Sequence, residues 1–514
     1  MSGTFVKSDK SLISIDPTRI SAKIDDKIYS GFIEHMGRCI YGGIVDYSEE
    51  ANLAGLTNEK GYRLDVAEKL RALNMPVIRY PGGNFVSTYH WLDGVGPKES
   101  RPRRPDLAWR GEESNQFGTD EFLDWCQFMG VEPYICLNMG TGTLDEALAW
   151  LEYCNSDGDT YYANLRRKNG HKEPYNVKYW ALGNEMWGDW QVGQLSAEDY
   201  AKKAHQWGKA LKMIDANIQV VGCGNSGVNN WDLTVTQKLI NQMDYYSIHL
   251  YTTDPEYYRN ITSTIAAEES IEVAARLLEI ARINARDKST RKRDVKICFD
   301  EWNVWDPVRA DGQKGAEETY TLTDSLGVAS WCNVFVRQAK NVGMANIAQC
   351  VNVISPIKTS KKGLLLQTTY HSLLLFSQFM RGSTLNVHVS SPVYTGSNIG
   401  SSVWGLEWVS DVVSEIPLLD VSATINGKFV SIAVVNRSKD EDIGSKLDLQ
   451  GTLSELAQVY TIYHDNIEAI NSWENSQNVV PTLKEISANE IFGDSRTFKF
   501  KKHSFTLIRV SLAS

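Results

Sequence analysis

Eight short apolar runs, separated by longer helical patterns, constrain the fold of this chain more than any other feature of its sequence. The runs span residues 30–35, 76–83, 132–140, 177–185, 218–224, 244–251, 295–303 and 346–353. Each run is nearly continuously apolar, which is typical of parallel strands because helices cover both of their faces. Eight such strands alternating with helices predict an α/β fold, a (β/α)8 TIM barrel with enlarged loops.

The segments between the runs carry helix signals. Thr143 and Glu146 form a capping box at the start of one segment, and Ser196 and Asp199 do so at the start of another. The alternative fold is a doubly wound open sheet, which in an NAD-linked oxidoreductase has a glycine-rich phosphate loop after its first strand. No G-x-G-x-x-G sequence follows residues 30–35, which disfavours that alternative.

Alternating apolar and polar residues flank the barrel region on both sides. Near the start, apolar residues alternate with polar ones around a predicted turn at Asp16-Pro17: Ile13, Ile15, Ile20, Ala22 and Ile24. Near the end, Asn426-Gly427 is a strong two-residue hairpin signal. We therefore predict N-terminal strands (1–25) that join a C-terminal antiparallel β-sandwich of jelly-roll type (384–514), with the catalytic barrel between them (26–383).

Composition excludes several classes of protein. The net charge of −10 disfavours nonspecific binding to nucleic acid or to an anionic membrane. Residues 1–20 lack the apolar core of a signal peptide, and no apolar run reaches the roughly 18 residues of a membrane span. The eight cysteines are scattered without a C-x-x-C pair, which indicates free thiols in a reducing compartment. We predict a cytoplasmic protein.

Polar side chains follow seven of the eight predicted strands. They are Glu34, His35, Arg79, Asn84, Asn138, Asn184, Glu185, His249, Tyr251, Asp300, Glu301, Gln349 and Asn352. In a barrel of this kind the carboxyl ends of the strands form the active face. These side chains are therefore predicted to meet at one place.

Glu185 and Glu301 suggest two-carboxylate chemistry on a sugar. Glu185 ends the fourth run, Glu301 lies near the end of the seventh, and each is followed closely by tryptophan. Glu185 is predicted to protonate a leaving-group oxygen, and Glu301 to attack the anomeric carbon. The sequence leaves open whether the carboxyl groups stand about 5–5.5 Å apart, as in retaining glycosidases, or about 6.5–9.5 Å apart, as in inverting ones.

Five stretches, taken together and in order, resemble a known family. They are GFIEHMGRCIYGGI, VIRYPGGNFVSTYHW, YWALGNEMWGDWQVG, YYSIHLY and CFDEWNVW. The chain resembles the glycoside hydrolase family 51 α-L-arabinofuranosidases, in particular their intracellular bacterial type, over nearly its whole length.

The resemblance implies a role for each matching residue. Glu185 matches the general acid/base and Glu301 the nucleophile, while Asn184 matches the residue that hydrogen-bonds the sugar 2-hydroxyl. The positions that hold the other furanose hydroxyls are matched by Glu34, Asn84, Tyr251 and Gln349.

Four further residues match supporting positions. His249 resembles a substrate-site group that orients the nucleophile, and Arg79 a charge partner near Glu301. Trp109 and Trp305 match aromatic residues that line the leaving-group side. Trp187 and Trp190 are assigned no role by the resemblance.

The resemblance also implies an activity. It implies a retaining, exo-acting enzyme that removes terminal α-L-arabinofuranosyl residues from arabino-oligosaccharides, with no cofactor and no metal, as a homo-oligomer of hexameric type. The rivals are a β-xylosidase or endo-glucanase of the same clan and a non-catalytic carbohydrate-binding barrel. The presence of both Glu185 and Glu301 argues against the last of these. The choice between arabinan and arabinoxylan fragments is left open.

Overall fold

The computed structural model describes residues 4–6, 11–396, 403–493 and 496–513. Residues 1–3, 7–10, 397–402, 494–495 and 514 of the predicted terminal strands and sandwich lie outside the described residues. The strands of the N-terminal and barrel regions are β1 Thr4–Val6, β2 Leu12–Lys23, β3 Ser30–Phe32, β4 Val77–Tyr80, β5 Arg104–Asp106, β6 Gly111–Glu113, β7 Glu132–Cys136, β8 Tyr179–Leu182, β9 Gln219–Gly222, β10 Tyr245–Thr252, β11 Lys296–Val304, β12 Val342–Ala348, β13 Ile357–Ser360 and β14 Gly363–Leu366. The later strands are β15 Ser383–Ser390, β16 Val393–Thr395, β17 Ile416–Pro417, β18 Leu419–Asn426, β19 Phe429–Asn436, β20 Ile443–Leu449, β21 Leu453–Ile462, β22 Thr482–Ser487, β23 Phe498–Phe500 and β24 Ser504–Leu512.

Helices connect the barrel strands. They are α1 Glu49–Leu53, α2 Leu64–Ala72, α3 Thr119–Met129, α4 Leu144–Asn155, α5 Tyr161–Lys168, α6 Ala197–Ile214, α7 Asn230–Leu239, α8 Tyr257–Thr262, α9 Thr264–Asn284, α10 Leu322–Arg337 and α11 Thr368–Phe379, with α12 Val409–Val412 and α13 Ala488–Phe492 in the C-terminal region. Short 3-10 turns lie at Asp26–Tyr29, Asn84–Thr88, Trp91–Gly94, Lys98–Ser100, Thr290–Lys292 and Gly312–Lys314. The predicted caps of α4 and α6 are present, since Thr143 and Ser196 accept the backbone N–H of Glu146 and Asp199.

Eight strands close into a parallel barrel in the order β3, β4, β7, β8, β9, β10, β11 and β12, with β12 paired to β3. This confirms the predicted (β/α)8 architecture. A small apolar cluster fills the interior, with side chains from most of these strands: Val77, Tyr134, Cys136, Tyr179, Ala181, Val221, Cys298 and Met344. Side chains alternate along a strand. The next inward-facing positions, towards the carboxyl ends of the strands, therefore lie above this apolar cluster. They are Arg79 on β4 and Ser247, His249 and Tyr251 on β10.

The eighth strand starts earlier than predicted. β12 runs from Val342 to Ala348, whereas the predicted run began at residue 346. Gly343 obscured the start because it interrupts the apolar pattern. The structure requires a small residue there, since a Cβ on Gly343 would lie 2.8 Å from the Cβ of Lys296. Gln349 and Asn352 therefore lie just beyond the strand, in the loop on the active face.

The C-terminal region forms one continuous curled sheet of nine strands, in the order β22, β21, β24, β19, β18, β15, β2, β20 and β23. Most neighbours are antiparallel, but β2 and β20 are parallel. The sheet encloses a second apolar core that joins strands far apart in this order, including Ile13, Leu447, Val459, Phe500 and Ile508. This confirms the predicted antiparallel domain, and β2 lies within it. The boundaries at 25/26 and 383/384 stay predictions.

The predicted turn at Asp16-Pro17 is wrong. β2 is one strand, in which Ile15 pairs with Val387 and Ile20 with Leu385. The extra residues of β2 form a bulge opposite a single partner residue, and the carboxylate of Asp16 accepts hydrogen bonds from the backbone and side chain of Thr18. A bulge absorbs an Asp-Pro pair without ending a strand.

A buried ion cluster joins the barrel to the sheet. Asp420 on β18 accepts hydrogen bonds from Arg337 and Asn333 of α10, at 2.8 and 3.0 Å. Arg437 lies 3.3 Å from the same carboxylate and is 5% exposed. Burial alone would raise the pKa of Asp420, but Arg437 and Arg337 outweigh it and lower that pKa. The carboxylate is therefore charged and, together with Glu268, which also pairs with Arg337, balances the two cations at the junction.

We expect Asp420→Ala to lower the free energy of unfolding by about 3–5 kcal/mol, because it leaves the buried guanidinium of Arg437 without its carboxylate partner. Urea denaturation followed by circular dichroism measures this. The control is Asp442→Ala, which removes ion pairs to the exposed Lys499 and Lys501 and a hydrogen bond from the backbone of Lys502, and should cost about 1–2 kcal/mol. Equal effects of the two substitutions would contradict the assignment.

Candidate active site

Glu185 reaches the barrel mouth through a tight turn after β8. Gly183 and Glu185 both have positive φ, of 79° and 43°. Such backbone is rare for a residue with a side chain and is found where the surroundings impose it. The strand ends at Leu182, and the turn delivers Asn184 and Glu185 directly above the barrel interior. This agrees with the predicted position at the carboxyl end of the fourth barrel strand.

Glu301 owes its orientation to a β-bulge. On β10 and β11, Ser247 pairs with Cys298, but His249 pairs with Glu301. β11 therefore has one extra residue over this stretch. A bulge re-aims side chains at functional sites. As a result, consecutive residues Asp300 and Glu301 both contact the same partners inside the barrel.

Both oxygens of Glu301 accept hydrogen bonds. Arg79 donates from Nη1 to Oε1 and Tyr251 donates its hydroxyl to Oε2, each at 2.7 Å. Gly83 allows this close arrangement, since a Cβ there would lie 2.8 Å from Oε1 of Glu301. The carboxylate is thus held in one orientation, and its side chain is only 8% exposed.

Glu185 has two partners of its own. Its Oε1 lies 2.9 Å from Nδ1 of His249, and its Oε2 accepts a hydrogen bond from the indole of Trp190 at 3.1 Å. His249 bridges the two glutamates, because its Nδ1 is also 3.7 Å from Oε2 of Glu301. One carboxyl oxygen of Glu185 lies within 4.8 Å of one carboxyl oxygen of Glu301.

The two glutamates line one cleft of about 550 Å³. The cleft is also bordered by Glu34, Asn84, Trp109, Trp187, Trp190, His249, Tyr251, Trp305, Gln349 and Trp404. Most of the predicted site residues thus surround a single cavity at the carboxyl ends of the strands.

Arg79 and Asp300 form the charged base of the site. Arg79 is 1% exposed and also donates to Oδ1 of Asn184 at 2.6 Å. Burial alone would lower the pKa of Arg79, but the carboxylates of Asp300 and Glu301 raise it well above its usual range. Burial would raise the pKa of Asp300, but Arg79 and His249 lower it. Both groups are therefore charged.

His249 is also held in its charged form. Its Nε2 lies 3.1 Å from Oδ1 of Asp300. Burial opposes the charge, but Glu301 and Asp300 together raise the pKa of His249 to about 10. An imidazolium with both N–H groups pointing at carboxyl oxygens acts as a fixed donor to Oε1 of Glu185.

Glu34 and Gln349 form a second network across the cleft. Oε1 of Glu34 accepts hydrogen bonds from the backbone of Phe85 and the indole of Trp109, both at 3.0 Å. Gln349 donates to Oε2 at 3.1 Å and accepts the backbone N–H of Glu34 at 3.0 Å. Burial, followed by the nearby charge of Glu301, raises the pKa of Glu34 to about 8. Glu34 therefore keeps its proton to a higher pH than an ordinary glutamate does.

Three of the polar residues predicted to meet here do not line the cleft. His35 pairs with Glu113, and Asn138 and Asn352 donate to the backbone carbonyls of Tyr89 and Arg38.

Two other predicted residues do lie against these networks. Asn184 is buried, and its Nδ2 lies 3.4 Å from Oδ1 of the less buried Asn84. Trp305 packs edge-on against Tyr251, with ring centroids 5.3 Å apart. The aromatic groups Trp109 and Trp305 both line the cleft, as predicted.

Sequence reasoning missed several residues of the site. Asp300 was noticed only as a strand end, although it holds both Arg79 and His249. Ser247 and Tyr134 donate hydrogen bonds to Asp300, and the inward alternation of β7 and β10 was the signal for them. Trp404 lies far along the chain from the barrel strands, and no pattern in the sequence indicated it.

Glu185, His249 and Glu301 also have the side-chain types that hold metal ions, with one donor atom each within 4.8 Å of one another. Both nitrogens of His249 already face carboxylates, and a charged imidazolium has no lone pair to offer a metal. The charge pairing accounts for this cluster.

In the part of the chain that the structure describes, none of the helices combines the length and hydrophobicity needed to cross a bilayer.

Comparison with known proteins places this geometry in context. Two family models match the chain, the alpha-L-arabinofuranosidase 1 domain over residues 69–268 and the alpha-L-arabinofuranosidase C-terminal domain over residues 300–504. A probable alpha-L-arabinofuranosidase C of Aspergillus clavatus is 52% identical over 511 residues, which are 97% of this chain and 96% of that protein.

Two further similarities extend over the whole chain. An intracellular exo-alpha-(1->5)-L-arabinofuranosidase of Halalkalibacterium halodurans is 34% identical, covering 96% of this chain and 98% of that protein. The solved structure of a family 51 alpha-L-arabinofuranosidase from Thermotoga petrophila superimposes with a TM-score of 0.88 at 39% identity, covering 98% of this chain and 100% of that one. The chain therefore belongs to the α-L-arabinofuranosidases of glycoside hydrolase family 51.

Proposed function

We propose that this protein is a retaining, exo-acting α-L-arabinofuranosidase that works by double displacement. The observation that carries the proposal is the separation of Glu185 and Glu301, whose carboxyl oxygens approach within 4.8 Å. Retaining glycosidases have carboxyl groups about 5–5.5 Å apart, because no water stands between nucleophile and substrate. The substrate class, terminal arabinofuranosyl residues of arabino-oligosaccharides, is supported by family membership.

In the first step Glu301 attacks C1 of the terminal sugar. The bond from C1 to the leaving oxygen breaks, and a proton passes from Glu185 to that oxygen. Oε1 of Glu185 faces the imidazolium of His249. The transferable proton is therefore on Oε2, beside Trp190. The product of this step is a glycosyl ester on Glu301, and Arg79 stabilises that carboxylate before attack and after release.

In the second step Glu185, now a carboxylate, takes a proton from water. The water oxygen bonds to C1, and the ester bond to Glu301 breaks. Two inversions at C1 give arabinose with retained configuration. The scheme requires neither a metal nor a cofactor.

The remaining side chains orient the sugar. Arg79 occupies Oδ1 of Asn184, which leaves the Nδ2 of Asn184 to donate to the sugar 2-hydroxyl. Glu34, Asn84, Tyr251 and Gln349 surround the same position and hold the other hydroxyls. Contacts to the 2-hydroxyl that strengthen as the oxocarbenium ion develops lower the barrier more than uniform binding does.

The proposal extends to location and assembly. All eight cysteines are buried and unpaired, as is common in reducing compartments, and the Halalkalibacterium relative is named as intracellular. We infer a cytoplasmic enzyme. We also propose a homo-oligomer of hexameric type, on the basis of the family resemblance, and light scattering would measure this assembly. The division into residues 1–25, 26–383 and 384–514 is proposed from the sequence pattern.

The first test of the function is the anomer that is released. We expect proton NMR to detect α-L-arabinofuranose before any β anomer when the protein acts on 4-nitrophenyl α-L-arabinofuranoside. Hydrolysis of 4-nitrophenyl β-xyloside and of a soluble glucan should be slower by about 100-fold or more, because the differential contacts are made to the furanose ring. Initial release of the β anomer, or faster hydrolysis of the xyloside, would rule out this assignment.

Substitution of each glutamate should give a different kinetic signature. Glu301→Gln should lower kcat by about 10⁴-fold or more, because no glycosyl ester can form. Glu185→Ala should lower kcat by about 10²–10⁴-fold. Azide should restore the rate of Glu185→Ala alone and yield an α-configured arabinosyl azide, since azide attacks the ester without needing a base. Azide rescue with the opposite configuration would reverse the two roles.

The raised pKa of Glu34 predicts a pH dependence of stability. Between pH 4.5 and about 8 the unfolded chain has lost the proton that the folded protein keeps. The free energy of unfolding therefore falls as the pH rises through this window. Glu34→Gln removes this contribution. Across the window the free energy of unfolding of wild type should therefore fall by about 5 kcal/mol more than that of Glu34→Gln. Parallel urea-denaturation profiles of the two proteins against pH would contradict the raised pKa of Glu34.

A further inference from the structure

Three indole rings stand together at the rim of the cleft. Trp187 stacks on Trp404 with ring centroids 5.5 Å apart and an interplanar angle of 17°, and meets Trp190 edge-on at 5.1 Å. Trp187 and Trp190 come from the turn after β8, whereas Trp404 comes from the segment before α12. The three rings form one aromatic wall, which we call the rim cluster.

Trp404 is exposed even though its segment is firmly anchored. Its neighbours Val403, Leu406 and Val409 are buried in the main apolar cluster of the barrel. Trp404 itself is 64% exposed. Leaving an indole in water forgoes hydrophobic stabilisation, and exposed aromatic surface at the edge of a cleft is typical of a ligand-binding site.

The rim cluster has a direction relative to the chemistry. The indole of Trp190 donates to Oε2 of Glu185 at 3.1 Å, so this ring borders the bond that is cleaved. The ring of Trp404 is the more exposed of the two, at 64% against 51% for Trp190, and the two centroids are 6.3 Å apart. A leaving group that extended from Glu185 along the wall would therefore meet Trp190 with its first sugar and Trp404 with its second.

We propose that Trp404 forms a distal subsite that binds the second sugar of the leaving group of a neutral arabino-oligosaccharide. The apolar face of a furanose ring packs against the exposed indole. The stack of Trp404 on Trp187 holds that indole in place. This inference rests on the proposed function, because the direction of the leaving group is defined by the role of Glu185. It adds a preference for substrates of at least three sugars.

The test is Trp404→Ala measured on substrates of increasing length. 4-Nitrophenyl α-L-arabinofuranoside and arabinobiose have no second leaving-group sugar, so any fall of their kcat/KM reports only the lost packing of Trp404 against Trp187 and Trp190. Arabinotriose does have one, and its kcat/KM should fall about tenfold more than theirs, chiefly through KM, as expected for the loss of one aromatic contact. Trp404→Phe should retain part of the kcat/KM on arabinotriose that Trp404→Ala loses.

Trp473→Ala is the matched control, since Trp473 is 50% exposed and does not line the cleft. Trp473→Ala should leave kcat/KM unchanged on all three substrates. An equal loss on all three substrates with Trp404→Ala, or no loss on arabinotriose, would overturn the subsite. A change of oligomeric state in Trp404→Ala at equal concentration would do so too, because the indole would then serve a contact between copies.

A binding measurement separates failure of the subsite from failure of the proposed function. Calorimetry with the Glu301→Gln protein should show arabinotriose binding more tightly than arabinobiose, and adding Trp404→Ala should abolish that difference. If wild type releases no arabinose, but arabinotriose binds more tightly than arabinobiose and Trp404→Ala abolishes that difference in affinity, the proposed activity is wrong and the subsite stands. If wild type releases arabinose but triose and biose bind equally, the activity stands and the subsite is wrong.

Discussion

The site depends on a single buried guanidinium. Arg79 lies at the carboxyl end of β4 and contacts Asp300, Glu301 and Asn184. Desolvating a cation and two carboxylates is costly unless the geometry satisfies nearly all of their hydrogen-bonding groups. In the planar guanidinium of Arg79, Nε faces Asp300 and Nη1 faces Glu301, while Nη2 donates to the amide oxygen of Asn184. Lysine has no such fork, so the arrangement is specific for arginine.

The charge pairs around Arg79 explain how two adjacent carboxylates serve different purposes. Asp300 is enclosed by Arg79, His249, Ser247 and Tyr134, and no part of it faces the cleft. Glu301 shares Arg79 but lines the cleft. The bulge in β11 makes this possible, because a regular strand would direct only one of two consecutive residues into the barrel. The local irregularity thus separates an enclosed carboxylate from the cleft-facing one that is the proposed nucleophile.

Sequence reasoning located the barrel and the two glutamates because both rest on local signals. Continuous apolar runs mark strands that are covered on both faces, and polar residues at their ends must meet once the barrel closes. The start of β12 was missed because Gly343 breaks the pattern for a packing reason that only the neighbouring strands reveal. The role of Asp300 was missed because a bulge is a property of strand pairing, which one strand's sequence does not specify. The turn expected at Asp16-Pro17 failed for the same reason, since pairing with β15 continues past it.

The rim cluster shows a different limit. Trp187 and Trp190 are close to Glu185 in sequence, yet their sequence context gave them no role, because their partner Trp404 comes from a distant segment. The barrel supplies the groups that act on the sugar, and a segment near the C-terminal sheet supplies the outer wall of the cleft. The segment that carries Trp404 is anchored by Val403, Leu406 and Val409, which are buried in the main apolar cluster, and its link to Glu185 passes through Trp190. Substitution of Trp404 is therefore expected to alter the proposed leaving-group subsite without removing any of the charged partners of Arg79.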